Sequence, residues 1–397
     1  MRLVLAKGRS QYGSLRLHLD QLAAALTAMG HEVTVIDLLE AEGALPVVRA
    51  ILTGADCFFA FNGMACETAA MEVVRRSGCV YASAYVDHPV HHLPRLTHDI
   101  NKQVVFFLDR SHVQFMAAWG ATRTYAHIGF LPPGANTLDE PVDTSDEAFA
   151  RRDIPLLFTG TYRGPPQPAW TNWPESAAKD LVADTAQRMA DDGRLPLLEA
   201  LRAATVARKA RLSAELLESI CLLLSSAQQY AEAFHRQAVL TAFGEAGVPV
   251  EVHGIGWAPL CERYPSFRHA GEGSFQETLH LLRRARLVLN INNGFVAGGH
   301  ERVFTAMSAG AAVFSESSRY YDDAFTEADA PARPGHGGEI ATYSIRRPER
   351  AAGQLKALLA DLPAQTAMAR AGYERAKAEH GWTARAARMM KVIEAVR

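Results

Sequence analysis

The stretch NNGFVAGGHERVFTAMSAGAAVFSE, residues 292–316, sets a glycine-punctuated loop, a charged triplet, a short small-residue helix and an apolar strand in succession. Periodicity predicts a helix from about Glu301 to Ala309, with Val303, Phe304, Ala306 and Met307 on its apolar stripe. Gly310 stands where such a helix stops, and AAVF then reads as a short apolar strand. A loop opening into a helix start leaves backbone N–H groups unpaired, which suits a phosphate. His300, Glu301 and Arg302 add charge at that end. A cationic side chain opposes the helix dipole there, so Arg302 points to an anionic partner. Gly298 and Gly299 let a backbone approach a ligand, or let a helix sit close to a strand; both readings stand at this point.

The same grammar extends in both directions. Upstream, RLVLNINN is a strand, SFQETLHLLRRA a helix and VPVEVHGIGW a strand, and IPLLFTGTYRG opens this half. About 85 residues, roughly 164–248, interrupt it as helices rich in Ala, Leu and Arg, whose basic residues read as a solvated face. The first part of the chain repeats the pattern: RLVLA, a glycine-containing turn, an amphipathic helix ending at Gly30, then EVTVIDL, CFFAFNG, VYASAYV and QVVFFLD as further strands. Strand, helix, strand at this length predicts parallel sheets with right-handed crossovers. The polar run TLDEPVDTSDEAFARRD, 137–153, reads as a linker between two doubly wound halves, which suggests a cleft between them. Ligands of such sheets bind beyond the carboxyl ends of the strands.

Composition narrows the class. The 397 residues are 48% hydrophobic and 21% charged, a globular balance with room for two domains. A net charge of −2 supplies no basic field for nucleic acid. The five cysteines, Cys57, Cys66, Cys79, Cys221 and Cys261, form no C-x-x-C pair and read as small buried hydrophobes of a reducing cytoplasm. MRLVLAKG runs straight into a strand, with none of the features of a signal peptide, and no apolar run reaches the length of a membrane span. A cytoplasmic location is expected.

Residues 269–316, from HAGEGSF through RLVLNINN to HERVFTAMSAGAAVFSE, resemble the C-terminal half of a GT-B glycosyltransferase, most closely the CgeB-like group. FAFNGM, YVDHP, FLPPGAN and the closing HGWTARAARMM fit the same group. The resemblance implies an α/β protein of two Rossmann-like domains facing a central cleft. The expected divisions are an acceptor domain at 1–140, a donor domain at 150–375 containing the helical insertion, and a last helix at 376–397 returning to the first domain. It implies a nucleotide-diphosphate sugar as donor substrate, with no tightly bound cofactor, and a glycan, protein or surface-polymer acceptor. It places Arg302 beside the diphosphate, the loop containing Gly271 and Gly273 around the base, and HGIGW, with Gly254 and Trp257, along the donor site. In retaining GT-B enzymes this helix commonly carries a glutamate where Thr305 stands, for the ribose, and an earlier glutamate of that motif would fall at Ala297. Both are absent here, so the resemblance specifies neither donor nor stereochemistry.

Chemistry supplies the remaining candidates. No Asp-x-Asp occurs, so the common carboxylate arrangement for a metal diphosphate is missing. Arg302, the N–H groups of 299–302 and either Lys7 or Arg163 then form the expected electrophilic set. Asn292 and Asn293 end a strand and suit sugar hydroxyls, and His300, Glu301 and Thr305 join the donor-side candidates. YVDHPVHHLPRLTH concentrates Asp87, His88, His91, His92 and His98; prolines break any helix that would frame a metal site, so Asp87 or His88 is expected as the base for an acceptor hydroxyl. Asp109 is a second choice for that role. The expected activity is metal-independent glycosyl transfer. A non-hydrolysing nucleotide-sugar epimerase and a non-catalytic nucleotide-sugar or glycan binder for envelope or appendage assembly stay open beside it.

Overall fold

The computed structural model describes residues 1–40, 45–65, 68–120, 123–292, 294–325 and 338–397. These fall into two compact units, one of Met1–Gly134, Ser213–Leu222 and Gly381–Arg397, the other of Ala135–Leu212 and Leu223–His380.

In the first unit, strands β1 (Arg2–Lys7), β2 (Glu32–Asp37), β3 (Cys57–Phe61), β4 (Val80–Tyr85), β5 (Gln103–Phe107) and β6 (His127–Phe130) form a parallel sheet in the order β2-β1-β3-β4-β5-β6. Central strands of such a sheet are covered on both faces. Every residue of β3, β4 and β5 is accordingly buried, while β2, at the edge, is largely open. Leu15, Leu19, Leu22 and Leu26 of the helix Ser14–Ala28 recur at helical spacing and fill one face. The last helix, Trp382–Val396, packs on that same face through Trp382, Ala386, Met389, Met390 and Ile393. Gly134 is required there, because a methyl group in its place would lie 2.5 Å from the Trp382 ring. Arg385 Nε donates to the Pro133 carbonyl at 3.0 Å, and Arg397 pairs with Asp56 at 2.8 Å.

The helix Ala214–Ile220 also belongs to this unit, although it lies inside the stretch expected as an insertion of the second half. The bidentate Arg123–Glu218 pair, with its nearer contact at 2.8 Å, ties it down. The linker expected at 137–153 also contains a helix, Asp146–Ala150, capped by the Ser145 hydroxyl, which accepts from Ala148 N–H at 3.2 Å.

In the second unit, β7 (Ile154–Thr159), β8 (Val250–His253), β9 (Phe267–His269), β10 (Ala285–Asn290), β11 (Ala312–Glu316) and β12 (Ala341–Tyr343) form a second parallel sheet, ordered β12-β11-β10-β7-β8-β9. Phe158, Leu287, Leu289 and Phe314 of its strands pack with Val239, Leu240 and Phe243 of the long helix Leu224–Glu245. The helix Glu301–Ser308 follows β10 and stops at Gly310, which adopts φ +69°. Its residues Arg302 to Ser308 are all buried. Among the described residues no helix is long and apolar enough to cross a membrane.

Candidate anion site at the strand ends of the second unit

β7 ends at Thr159 and β10 at Asn290, side by side in the sheet. The helix Glu301–Ser308 begins over those ends, with His300 as its N-cap: the ring Nδ1 accepts from Arg302 N–H at 3.2 Å. This entry turns the Arg302 side chain onto the strands. Its Nε donates to Thr159 Oγ1 at 3.1 Å and its Nη1 to Asn290 Oδ1 at 2.8 Å, with the guanidinium 5.2 Å from the Phe158 ring centre. Arg302 is only 6% exposed.

A guanidinium stays charged in a protein. Burial disfavours the charge and pulls the Arg302 pKa below the usual arginine range. Among the described residues, no carboxylate lies at ion-pair distance from it; both of its hydrogen-bond partners are neutral. Burying a cation without a counter-ion costs several kcal/mol (~3 or more). Arg236, on the helix Leu224–Glu245, adds to the imbalance. Its Nη1 donates to the Thr161 carbonyl, burial pushes its pKa down to about 10, the charges of Arg302 and Arg163 push the same way, and the Glu232 carboxylate opposes them. Two buried arginines, Arg302 and Arg236, therefore sit at the ends of β7 and β10. An arriving anion would relieve both desolvation and mutual repulsion.

The Arg302 position is fixed by a buried polar network. Asn290 Nδ2 donates to Asn292 Oδ1 at 2.8 Å and to Ser315 Oγ at 2.9 Å. Tyr321 Oη donates to Asn292 Oδ1 at 3.1 Å and accepts from His300 N–H at 3.0 Å. Tyr343 Oη donates to the Asn290 carbonyl at 2.9 Å. Asn290, Asn292 and Ser315 are each 0% exposed. Such networks hold one geometry when every member is satisfied.

Several expected site residues take other roles. Thr305 is 1% exposed, and its hydroxyl accepts from Asn136 N–H at 3.2 Å and Asn136 Nδ2 at 3.3 Å, so it faces the interior and offers nothing to a ribose. Trp257 is 0% exposed; its ring stacks on Tyr162 at 5.7 Å and its Nε1 donates to the Gly160 carbonyl at 2.8 Å. That ring is core, with no face left for a base. Gly299 serves packing, since a methyl group there would lie 2.8 Å from Tyr321 Cε1 and 3.1 Å from the Phe304 ring. The Gly298 carbonyl accepts from Ser318 Oγ at 2.7 Å. His300 is a cap whose ring contacts the Glu301 carboxylate, and burial lowers its pKa first of all. Glu301 is partly exposed beside it. Gly254 donates to the Gly271 carbonyl at 2.9 Å, which stitches the loops after β8 and β9, and Gly273 sits over His253 and Glu277. Asn293 lies outside the described residues.

The acceptor-side candidates lie in the first unit. Asp87 follows β4, and its Oδ2 accepts from Asn62 Nδ2 and pairs with His92 Nε2, each at 3.3 Å. Its side chain is 55% exposed. Desolvation raises the carboxyl, and the hydrogen bond and charge of His92 outweigh it, leaving the pKa below the ordinary range. His88 is 6% exposed and its Nδ1 accepts from Val90 N–H at 3.2 Å. Burial, with His112 alongside, holds its pKa well below the usual value. With Nδ1 accepting, the ring proton sits on Nε2, so no lone pair is left for a substrate proton. His88 is a cap, and Asp87 alone remains as the base candidate. Asp109 is also a cap: 0% exposed, it accepts from Ser111 N–H and Oγ, each at 2.6 Å. Lys7 is bound to Asp20 at 2.6 Å.

Arg236 was not anticipated, because basic residues of the insertion read as solvated. The signal was present in sequence: Gln228, Glu232 and Arg236 recur at intervals of four, a polar stripe in a helix otherwise packed through Val239, Leu240 and Phe243.

Residues 229–391 match the family model described as Glycosyl transferase-like. No curated protein sequence matches the chain. Among solved structures, sucrose-phosphate synthase from Thermosynechococcus elongatus aligns at TM-score 0.57 and 11% identity, over 99% of this chain and 98% of that one. Anabaena HepE in complex with UDP-glucose aligns at 0.54 and 10%, over 100% of both chains. An alpha-glucosyltransferase in complex with UDP and a 13-mer DNA aligns at 0.53 and 11%, over 99% of both. The chain has the GT-B fold. At these identities the structures speak for the GT-B fold alone, and the segment holding Arg236, Asn290 and Arg302 lies within the family match.

Proposed function

We propose that this GT-B protein transfers a glycosyl group from a nucleotide-diphosphate sugar, with the diphosphate seated against Arg302 and Arg236. The observation that carries the reading is Arg302, a 6% exposed cation held by a threonine and an asparagine rather than by a carboxylate. That UDP or UDP-glucose is bound in the Anabaena and alpha-glucosyltransferase structures agrees with it.

The chemistry follows from charge. Breaking the bond between the anomeric carbon and the leaving phosphate oxygen puts negative charge on the diphosphate and oxocarbenium-like positive charge on the sugar. Fixed donors already aimed at the phosphate stabilise the first without reorganising. Arg302 and Arg236 are such donors, and the first N–H groups of the helix Glu301–Ser308 add to them. Two arginines carry the neutralisation that a metal ion supplies elsewhere, so the transfer is proposed to be metal-independent. In an inverting transfer, the acceptor hydroxyl loses its proton as it attacks, and Asp87 is proposed as the group that takes it. The acceptor class is a glycan, protein or surface polymer.

Incubation with a panel of UDP-, GDP- and TDP-sugars tests this. Free nucleoside diphosphate together with a glycosylated acceptor, or slow hydrolysis in its absence, is the expected product pattern. An isomerised nucleotide sugar with no released diphosphate would move the reading to epimerisation. Absence of binding to every nucleotide would overturn it.

A further inference from the structure

One buried carboxyl at the end of β11 has one oxygen that its neighbours do not engage. Glu316 ends β11 and is 7% exposed. Its Oε2 accepts from Asn292 N–H at 2.8 Å. Its Oε1 meets no donor among the described residues, yet is not sealed from solvent. Arg194, from the loop after the helix Ala177–Asp192, is the cation acting on it, and that arginine is itself bound to Asp322 at 3.0 Å. Tyr321 on the helix Arg319–Ala324 and Tyr343 on β12 are the other titratable groups around it, both held neutral by burial. Burial is the largest influence on Glu316 and pushes its carboxyl up to about 7.

Its place in the site is defined by the hydrogen-bond chain. Glu316 Oε2 binds Asn292 N–H, Asn292 Oδ1 binds Asn290 Nδ2, and Asn290 Oδ1 binds Arg302 Nη1, each at 2.8 Å. The Tyr343 phenol, bonded to the Asn290 carbonyl, feels Glu316, Arg302 and Arg236. A carboxyl repels a diphosphate. It suits instead a neutral, hydroxyl-bearing part of the same ligand, because a free carboxyl oxygen is a strong acceptor for O–H.

We propose that Glu316 reads the sugar of the donor: its free oxygen accepts a hydrogen bond from a hydroxyl of the sugar whose diphosphate lies at Arg302. The proposal rests on the nucleotide-sugar reading above and names a specificity-determining residue for it. It also places that residue on the strand after the helix, away from positions 297 and 305, where carboxylates are absent.

The test compares UDP with UDP-glucose, and GDP with GDP-mannose, by calorimetry on wild type and Glu316→Gln. The amide oxygen keeps the bond to Asn292 N–H, while the amide nitrogen replaces the free acceptor with a donor. The expected result is unchanged affinity for the nucleoside diphosphate and about tenfold weaker binding of the matching nucleotide sugar. Glu316→Ala, run alongside, also removes the bond to Asn292 N–H and should weaken the nucleotide sugar more than the nucleoside diphosphate. An equal loss for both ligands would mean that Glu316 only supports Asn292 and Arg302, and no loss for either would mean that it does not touch the sugar; each overturns the proposal. Wild type that binds none of UDP, GDP and TDP overturns the nucleotide reading itself, a separate result visible before any variant is made.

Discussion

Arg302→Met separates an arginine kept for a ligand from one kept for the fold. Methionine retains most of the length and apolar stem while removing the charge. In the ligand-free protein, the substitution loses the bonds to Thr159 and Asn290, at 3.1 and 2.8 Å. Two hydrogen bonds from a charged donor are worth roughly 3–6 kcal/mol together. Against this stands relief of a buried cation without a counter-ion, whose desolvation costs several kcal/mol (~3–5), and relief of repulsion toward Arg236. The two effects nearly cancel, so the ligand-free folding midpoint in urea should change by no more than about 1–2 kcal/mol, in either direction. Binding has no such compensation. Loss of one charge-assisted bond to the diphosphate, about 2.3 kcal/mol, weakens binding roughly 50-fold. With nucleoside diphosphate at 100 times the wild-type Kd, the ligand adds about 2.7 kcal/mol to wild type; for the variant the same concentration is only about twice its Kd and adds about 0.65 kcal/mol. Urea unfolding of both proteins, with and without ligand, measures all four quantities. A variant that loses more than about 3 kcal/mol without ligand, yet keeps the full ligand increment, would show that the guanidinium is a structural pin and that the phosphates bind elsewhere.

Three further outcomes follow from the same structure. Asp87→Asn should lower turnover by roughly 10²–10⁴ while leaving nucleotide affinity unchanged, since it removes a proton acceptor and no phosphate contact; single-turnover kinetics with calorimetry checks it, and full turnover would remove Asp87 from the mechanism. Turnover should survive EDTA, and loss of activity in chelator that Mn²⁺ or Mg²⁺ restores would contradict the arginine-based account. Glu316 should make the ligand-free protein less stable as pH rises: its folded pKa, about 7, lies above the ordinary glutamate value of 4.5, so its contribution is complete below 4.5 and is lost through 7. The effect is at most about 3 kcal/mol, and Glu316→Gln should flatten the wild-type slope across that window; an unchanged slope would mean that other groups set it.

The architecture was legible because parallel strands buried on both faces leave continuous apolar runs. CFFAF, VYASAY and QVVFF are such runs, and each is a fully buried strand. β9 escaped because it has only three residues, Phe267–His269, with two of them exposed, and no periodicity survives at that length. The helix Ala214–Ile220 was read as part of an insertion in the second half, whereas it is held in the first unit by Arg123 and Glu218, 95 residues apart. Residue spacing carries no information about a pairing of that range. The helix start at Arg302 was legible in the sequence, but the burial of its side chain was not.

The misjudged residues share a physical cause. Sequence shows which side chains carry polar atoms and cannot show whether those atoms are already engaged. Thr305, Trp257, His88 and Asp109 all have the right chemistry for a site, and all four use it inward, on Asn136, Gly160, Val90 and Ser111. A polar group satisfied by the protein is a structural part; one left buried with spare capacity is waiting for something. By that criterion the ligand-facing groups of the second unit are Arg302, which no described carboxylate contacts, and Glu316, whose second oxygen has no donor among the described residues. They lie at opposite ends of one chain of three hydrogen bonds running through Asn290 and Asn292. A cation for the phosphate and an acceptor for a hydroxyl, locked to each other through two fully buried asparagines, constrain both halves of a nucleotide sugar at once. Displacing either end should therefore disturb the other: Asn290→Ala should weaken nucleoside diphosphate binding and reduce discrimination between sugars together, whereas Glu316→Gln should affect the sugar alone.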